Sequence, residues 1–193
     1  MRIIAGKYRG RRLRPVPGRK TRPTGDRVRE ALFSVLGETV AGSRVLDLFA
    51  GTGALGLEAL SRGAARVVMV ENDPSARAAI EANIASLGAA AAVRLHPTSF
   101  PAALEDLSGA GEEFDIVLAD PPYRSGLGGN LLDRLAGFAI LAPGGVAVIE
   151  HSPETGPGPA GPGWRPLRRK RYGRTALSFF ARSDCQPRNL HPN

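Results

Sequence analysis

From residue 44 onward the chain alternates short, almost wholly apolar runs with longer segments whose apolar residues recur every three or four positions. Arg44–Phe49, Arg66–Glu71, a weaker Ala91–His96, Phe114–Asp120 and Gly145–Glu150 have the first pattern and predict strands. Leu55–Ser61, Pro74–Leu87, Ala102–Leu107 and Leu127–Ile140 predict helices; in the second of these Ala76, Ile80, Ile84 and Leu87 fall on one stripe. Strands apolar on both faces, alternating with helices, predict a doubly wound α/β fold with a mostly parallel sheet. Residues 152–163 (SPETGPGPAGPG) can be neither helix nor central strand and predict a long loop. Beyond it, Trp164–Tyr172 and Thr175–Ala181 predict an antiparallel hairpin turning at Gly173, which brings the sheet to seven strands.

Ahead of the sheet the pattern differs. The first 20 residues, with Gly6, Gly10, Gly18, Pro15 and Pro17, predict short extended pieces and turns. Thr24–Leu36 predicts a helix with Val28, Leu32, Val35 and Leu36 on its apolar face. The expected organisation is a basic hairpin-and-helix extension over 1–36, a sheet domain over 37–181 and a frayed tail over 182–193.

A chain of 193 residues suffices for one such domain. No apolar run approaches the roughly 20 residues that span a bilayer, and the N-terminus lacks the apolar core of a secretory signal. Cys185 is the only cysteine, which excludes an internal disulfide and a cysteine-rich zinc site. The expectation is a cytoplasmic protein without a structural metal.

Charge changes the picture more than composition does. Residues 1–30 hold eleven Lys/Arg against Asp26 and Glu30, an excess of +9 in a chain whose total is +8. A second basic cluster without an acid, WRPLRRKRYGR, occupies residues 164–174. Two local patches on a near-neutral body point to a polyanionic partner such as nucleic acid. Arg9, Arg11 and Arg12 in the first patch, and Arg168, Arg169 and Lys170 in the second, are the candidates for phosphate contacts.

Two motifs carry candidate chemistry. Asp47-Leu-Phe-Ala-Gly-Thr-Gly-Ala-Leu-Gly56 joins the first strand to the first helix, and its Gly51, Gly53 and Gly56 have the spacing of a nucleotide-cofactor loop. Glu71 follows Gly51 by 20 residues at the end of the second strand, where two ribose hydroxyls can donate to one carboxylate. The glycines alone suit a nicotinamide or flavin dinucleotide as well as S-adenosylmethionine. Asp47 separates the two, because a carboxylate opposes a pyrophosphate but complements an α-ammonium group.

The second motif, Asp120-Pro-Pro-Tyr123, ends the fourth strand, so both motifs are expected at one cleft. An exocyclic base amine is a poor nucleophile, its lone pair being conjugated into the ring. Asp120 and the carbonyl of Pro121 can each accept one amine N–H and localise that lone pair. Pro122 stiffens the backbone, and Tyr123 can stack on an extruded base. Orientation and electrostatics would supply the acceleration.

These residues resemble the RsmD-like family of RNA methyltransferases, which modify guanine N2 in 16S ribosomal RNA. The matching stretches are RPTGDRVREALF (22–33), DLFAGTGALGLEALSRGA (47–64) and LADPPY (118–123), with MRIIAGKYRGRRL resembling the family's N-terminal hairpin. The resemblance implies a class I methyltransferase (Rossmann-like) fold, S-adenosylmethionine as cofactor and ribosomal RNA, free or in a partly assembled small subunit, as partner. It implies cofactor contacts at Asp47, Ala50, Gly51, Gly53, Glu71, Asn72, Ser99 and Asp120. Base-amine chemistry falls to Asp120, Pro121 and Tyr123, and Arg22, Thr24 and Arg27 border the cleft.

One departure concerns Pro97-Thr-Ser-Phe100, which stands where many methyltransferases carry an acid or amide near the adenine; that contact falls to Ser99 or to backbone. His96, His151 and His191 read as surface or strand-end residues. Three rival readings stand beside this one: a DNA or RNA adenine-N6 or cytosine-N4 methyltransferase, a non-catalytic RNA-binding assembly factor, and a nicotinamide oxidoreductase.

Overall fold

The computed structural model describes residues 1–18, 25–121, 131–186 and 190. In chain order its elements are α1 (Asp26–Leu36), a 3₁₀ turn (Gly37–Val40), β1 (Arg44–Leu48), α2 (Ala54–Ser61), β2 (Arg66–Val70), α3 (Pro74–Leu87) and β3 (Val93–His96). There follow α4 (Phe100–Gly109), β4 (Phe114–Ala119), α5 (Leu131–Ala136), β5 (Leu141–His151), β6 (Trp164–Tyr172) and β7 (Thr175–Arg182). The strands form one seven-stranded sheet in the order β3-β2-β1-β4-β5-β7-β6. β1 to β5 are mutually parallel, and β7 runs antiparallel to both β5 and β6. Strand order reverses between β1 and β4, the place where open α/β sheets leave a crevice at their C-terminal edge.

Alternation along the strands divides the core in two. Val45, Val67, Met69, Ile116, Leu118, Val146, Val148, Leu177 and Phe179 pack with α1, α2 and α3 on one face. Leu46, Leu48, Val68, Val70, Val117, Ala119, Ala147, Ile149 and Phe180 pack with α4 and α5 on the other. The second face is closed by Trp164, whose indole N–H donates to Leu132 O (2.8 Å).

Local signals set the boundaries that the sequence read best. Asp73 caps α3 by accepting the Ala76 N–H (2.9 Å), Pro74 occupies its first turn, and Gly88 ends it in the left-handed region. Elsewhere the boundaries differ from expectation. β5 begins at Leu141 rather than Gly145, because a register shift opposite Phe114–Ile116 absorbs Pro143 and Gly144 within the strand. The helix expected over 127–140 ends at Ala136, where Gly137 N–H closes onto Asp133 O and Arg134 O (both 3.2 Å); residues 127–130 lie outside the described ones. α4 is a full ten residues, β3 starts at Val93, and α1 starts at Asp26 behind Gly25. Phe49, Glu71 and Asp120 lie just beyond their strands rather than within them.

The N-terminal segment folds back on itself through an Arg2–Arg12 bridge, with Ile3 and Leu13 buried in the same cluster as α1 and α2. Lys7 N–H donates to Ser61 O (2.7 Å) at the end of α2. Gly6 is required there: a Cβ on it would lie 1.8 Å from the Ser61 carbonyl oxygen, and its φ is +80°. At the other end of the chain, Ser183 N–H donates to Gly163 O (3.0 Å), which ties the first tail residues to the hairpin.

Candidate active site

At the C-terminal edge of β1 the chain turns through the glycine loop into α2. Gly56 N–H donates to Asp47 Oδ2 (2.8 Å), Gly53 N–H to Ala50 O (2.7 Å) and Ala50 N–H to Val70 O (3.0 Å). A Cβ on Gly56 would stand 2.6 Å from Met69 Cε and 2.8 Å from Val67 Cγ1, so only glycine lets α2 lie this close to β2. Asp47 is 1% exposed, and its Oδ1 has no hydrogen-bond partner among the described residues. Burial pushes its pKa up to about 7; the Gly56 N–H opposes that rise, and the like charges of Asp120 and Glu71 add to it.

Glu71, just past β2, fixes the far side of the loop. Its Oε2 accepts from Gly51 N–H (2.8 Å) and its Oε1 from Asp73 N–H (2.9 Å). Each oxygen retains a second lone pair for another donor. Asn72 beside it is exposed. Ser99 is exposed too and opens α4 through its carbonyl, which accepts from Ala103 N–H (2.9 Å).

Between these stands Phe49, which the sequence reading passed over. It is the one described non-glycine residue with positive φ (+63°), and its ring packs on Phe100 at 5.2 Å between centroids. A side chain held in that region costs of order 1 kcal/mol or more. An aromatic residue two places before the first glycine is the only signal that could have marked it.

Asp120 follows β4 at the same edge, half-buried, with Pro121 buried behind it. Pro122 and Tyr123, like Arg22 and Thr24, lie outside the described residues. The structure thus gathers Asp47, Ala50, Gly51, Gly53, Glu71 and Asp120 at the β1–β4 switch point.

A family model described as conserved hypothetical protein 95 matches residues 1–181. Ribosomal RNA small subunit methyltransferase D of Escherichia coli (strain K12) is 38% identical over 185 residues, covering 94% of this chain and 90% of that one. The chain belongs to this RsmD-like family. Among solved structures, yhhF of Escherichia coli, a candidate methyltransferase, superimposes with a TM-score of 0.81 at 36% identity, covering 94% of this chain and 97% of that one. A hypothetical protein of Thermus thermophilus gives 0.80 at 33% identity, over 93% and 98% of the two chains.

In this RsmD-like chain the basic residues divide by position. α2 descends from the glycine loop to Ser61, so the turn at residues 6–10 sits about 12 Å from the loop. Arg9 and Arg12 are exposed, whereas the Arg11 guanidinium donates to Ser86 O (2.5 Å) in the last turn of α3. Arg27 is exposed on the first turn of α1.

β6 runs the other way, toward the edge that holds Asp120. Arg168 and Lys170 stand opposite Phe179 and Leu177, on the face of α1. Arg169 stands opposite Ser178 on the other face, and its guanidinium donates to Pro153 O (2.9 Å). His151 ends β5 there, buried, with Nε2 2.8 Å from Ser178 Oγ and Nδ1 2.8 Å from Ser152 O. Burial holds its imidazole below the ordinary value; the Ser152 carbonyl opposes that shift and Arg169 adds to it.

Proposed function

We propose that this chain is an S-adenosylmethionine-dependent methyltransferase that acts on the exocyclic N2 amine of a guanine in 16S ribosomal RNA. The observation that carries the reading is the buried Oδ1 of Asp47, unpartnered among the described residues and set beside a glycine loop. A buried carboxylate with an open acceptor, its pKa raised and two further carboxylates near, calls for a cation rather than a phosphate. The α-ammonium of S-adenosylmethionine meets that requirement; a dinucleotide pyrophosphate does not. The named relative of 38% identity, which methylates small-subunit ribosomal RNA by its name, supports the substrate class.

In this mechanism Asp47 holds the ammonium group, and the Gly51–Gly53 turn with Ala50 shapes the bed of the methionine moiety. Glu71 accepts from the ribose hydroxyls, with Asn72 and Ser99 flanking the adenine. S-adenosylmethionine, when bound, supplies the electrophilic methyl group. Asp120 and the Pro121 carbonyl each accept an N–H of the target amine, which localises the nitrogen lone pair and aims it, and Tyr123 stacks on the base. Residues 37–181 form the catalytic unit, and 1–36 with the β6 cluster address the RNA.

Transfer of labelled methyl to small ribosomal subunits lacking the modification, followed by nucleoside analysis, tests the reading. Label in N2-methylguanosine is the expected result. Label in N6-methyladenosine or N4-methylcytidine, or none, overturns it.

A further inference from the structure

On the sheet face covered by α1, α2 and α3, the pleat can be followed along the layer at the C-terminal edge. Leu118 of β4, Val146 and Val148 of β5, and Leu177 of β7 all pack into the core on that face. Period-two alternation places Asp120 and Glu150 on the same face, one residue pair above. Ala119, the last residue of β4, lies in register with Ile149, so Asp120 leaves its strand beside Glu150 of the neighbouring one. Glu150 is directly opposite Leu177, and Leu177 is directly opposite Lys170. Glu150 is 5% exposed, in a position that its strand fills with valine one turn of the pleat below.

We propose that Glu150 makes the site specific for guanine by accepting the N1–H of the base whose N2 amine is held by Asp120. This rests on the reading of the site as a base-amine methyltransferase centre and adds to it the residue that chooses the base. The chemistry lies in the ring nitrogen next to the reacting amine. In guanine that nitrogen, N1, carries a hydrogen; in adenine the nitrogen beside N6, and in cytosine the nitrogen beside N4, carries a lone pair instead.

An ionised carboxylate is an acceptor only. Set one strand away from the amine-binding Asp120, it completes a two-donor edge for guanine and faces a lone pair in either rival base. A buried acceptor turned against another acceptor leaves both unsatisfied, which is how sites reject analogues that lack a hydrogen. Lys170 stands in the same layer two strands away. Asp-Pro-Pro-Tyr alone suits all three amines; Glu150 separates them.

The test uses the full chain and small-subunit ribosomal RNA ligated to carry either guanosine or 2-aminopurine riboside at the methylated position. 2-Aminopurine keeps the 2-amine and replaces N1–H with a lone pair. Wild type should favour guanosine in kcat/KM by about tenfold to a hundredfold. Glu150→Gln, nearly isosteric and able to offer its own N–H to that lone pair, should lower turnover of guanosine and bring the ratio within about threefold of one. Its affinity for S-adenosylmethionine should not move.

Equal use of both bases by wild type overturns the proposal without any variant, and so does an unchanged ratio in Glu150→Gln. Failure of wild type to form any N2-methylated guanosine would instead overturn the underlying function.

Discussion

Asp47 is a carboxylate that the fold holds at a cost. Its pKa of about 7 lies above the ordinary carboxylate range because burial outweighs the one Gly56 N–H bonded to it. A carboxyl whose folded-state pKa is raised contributes stability that is full below its unfolded pKa and is lost as pH rises through the folded value. Here that window runs from about pH 4 to about pH 7. Binding of a cationic group needs the ionised form, so the sign reverses for affinity. S-adenosylmethionine should bind more weakly by about tenfold per pH unit below 7 and level off above it until its own α-ammonium group loses its proton near about pH 8. Asp47→Asn keeps an acceptor for Gly56 N–H, removes the charge, and should flatten that pH profile. The variant should melt at a higher temperature than wild type at pH 8 while losing about 1.5–3 kcal/mol of cofactor affinity. Calorimetric titration between pH 5.5 and 8.5, with thermal unfolding, measures both; a wild-type affinity independent of pH would remove Asp47 from the cofactor site.

Among the elements, α2 does more than carry the glycine loop. Glu58, fully buried, accepts from the backbone N–H groups of Ile4 (2.8 Å) and Ala5 (3.0 Å) and from Arg62 Nε (2.8 Å). The buried Arg29 of α1 stands 3.5 Å from it and also reaches Asp26 (3.0 Å) and Arg2 O (2.5 Å). One carboxylate thus fastens α1, α2 and the N-terminal hairpin together. Glu58→Gln should destabilise the fold by about 1–3 kcal/mol, since it removes the buried carboxylate that accepts from Ile4, Ala5 and Arg62 and leaves half-exposed Asp26 as the counterion of buried Arg29. Arg29→Met in that background should recover part of the loss. In urea unfolding the midpoint should fall with the slope unchanged; a shift under about 1 kcal/mol would mean that packing alone holds the hairpin.

This clamp was not legible in the sequence, because charged residues on a periodic helix are assigned to its solvent face. The elements themselves were legible where local chemistry agrees with pattern, as in α3 with its proline, cap and glycine. They were misread where breakers sit inside a strand, as Pro143 and Gly144 do in β5. At the site, the meeting of Asp47, Glu71 and the glycines at one edge could be read from spacing, since strand ends set where they lie. The left-handed backbone of Phe49 could not, because a phenylalanine ordinarily avoids that region and only its place before the first glycine could have marked it.

Across the described residues the turn of the N-terminal hairpin and the basic cluster of β6 lie at opposite ends of the sheet. The N-terminal hairpin lies along α2 and α3 with its turn at their C-terminal ends, and Arg11 is held there by the Ser86 carbonyl. β6 carries Arg168 and Lys170 toward the edge that holds Asp120, on the face where Leu118, Leu177 and Phe179 pack. If Asp120 holds the target base, RNA phosphates flanking that base would lie nearer the β6 cluster than the turn that carries Arg9. Phosphate-binding side chains position a nucleic acid without reading it, so Arg168→Ala with Lys170→Ala should weaken target and unrelated RNA about equally. The slope of log K against log salt should become shallower by about 0.7 for each phosphate that the variant no longer neutralises, or about 1.4 for the pair. Arg9→Ala with Arg12→Ala should change the slope by less, and neither pair should alter affinity for S-adenosylmethionine. Binding isotherms between about 50 and 200 mM salt, a range over which phosphate neutralisation changes affinity by orders of magnitude, distinguish the two patches. A larger slope change in the Arg9/Arg12 pair would move the grip to the hairpin, with the RNA wrapping from the catalytic edge down the length of α3.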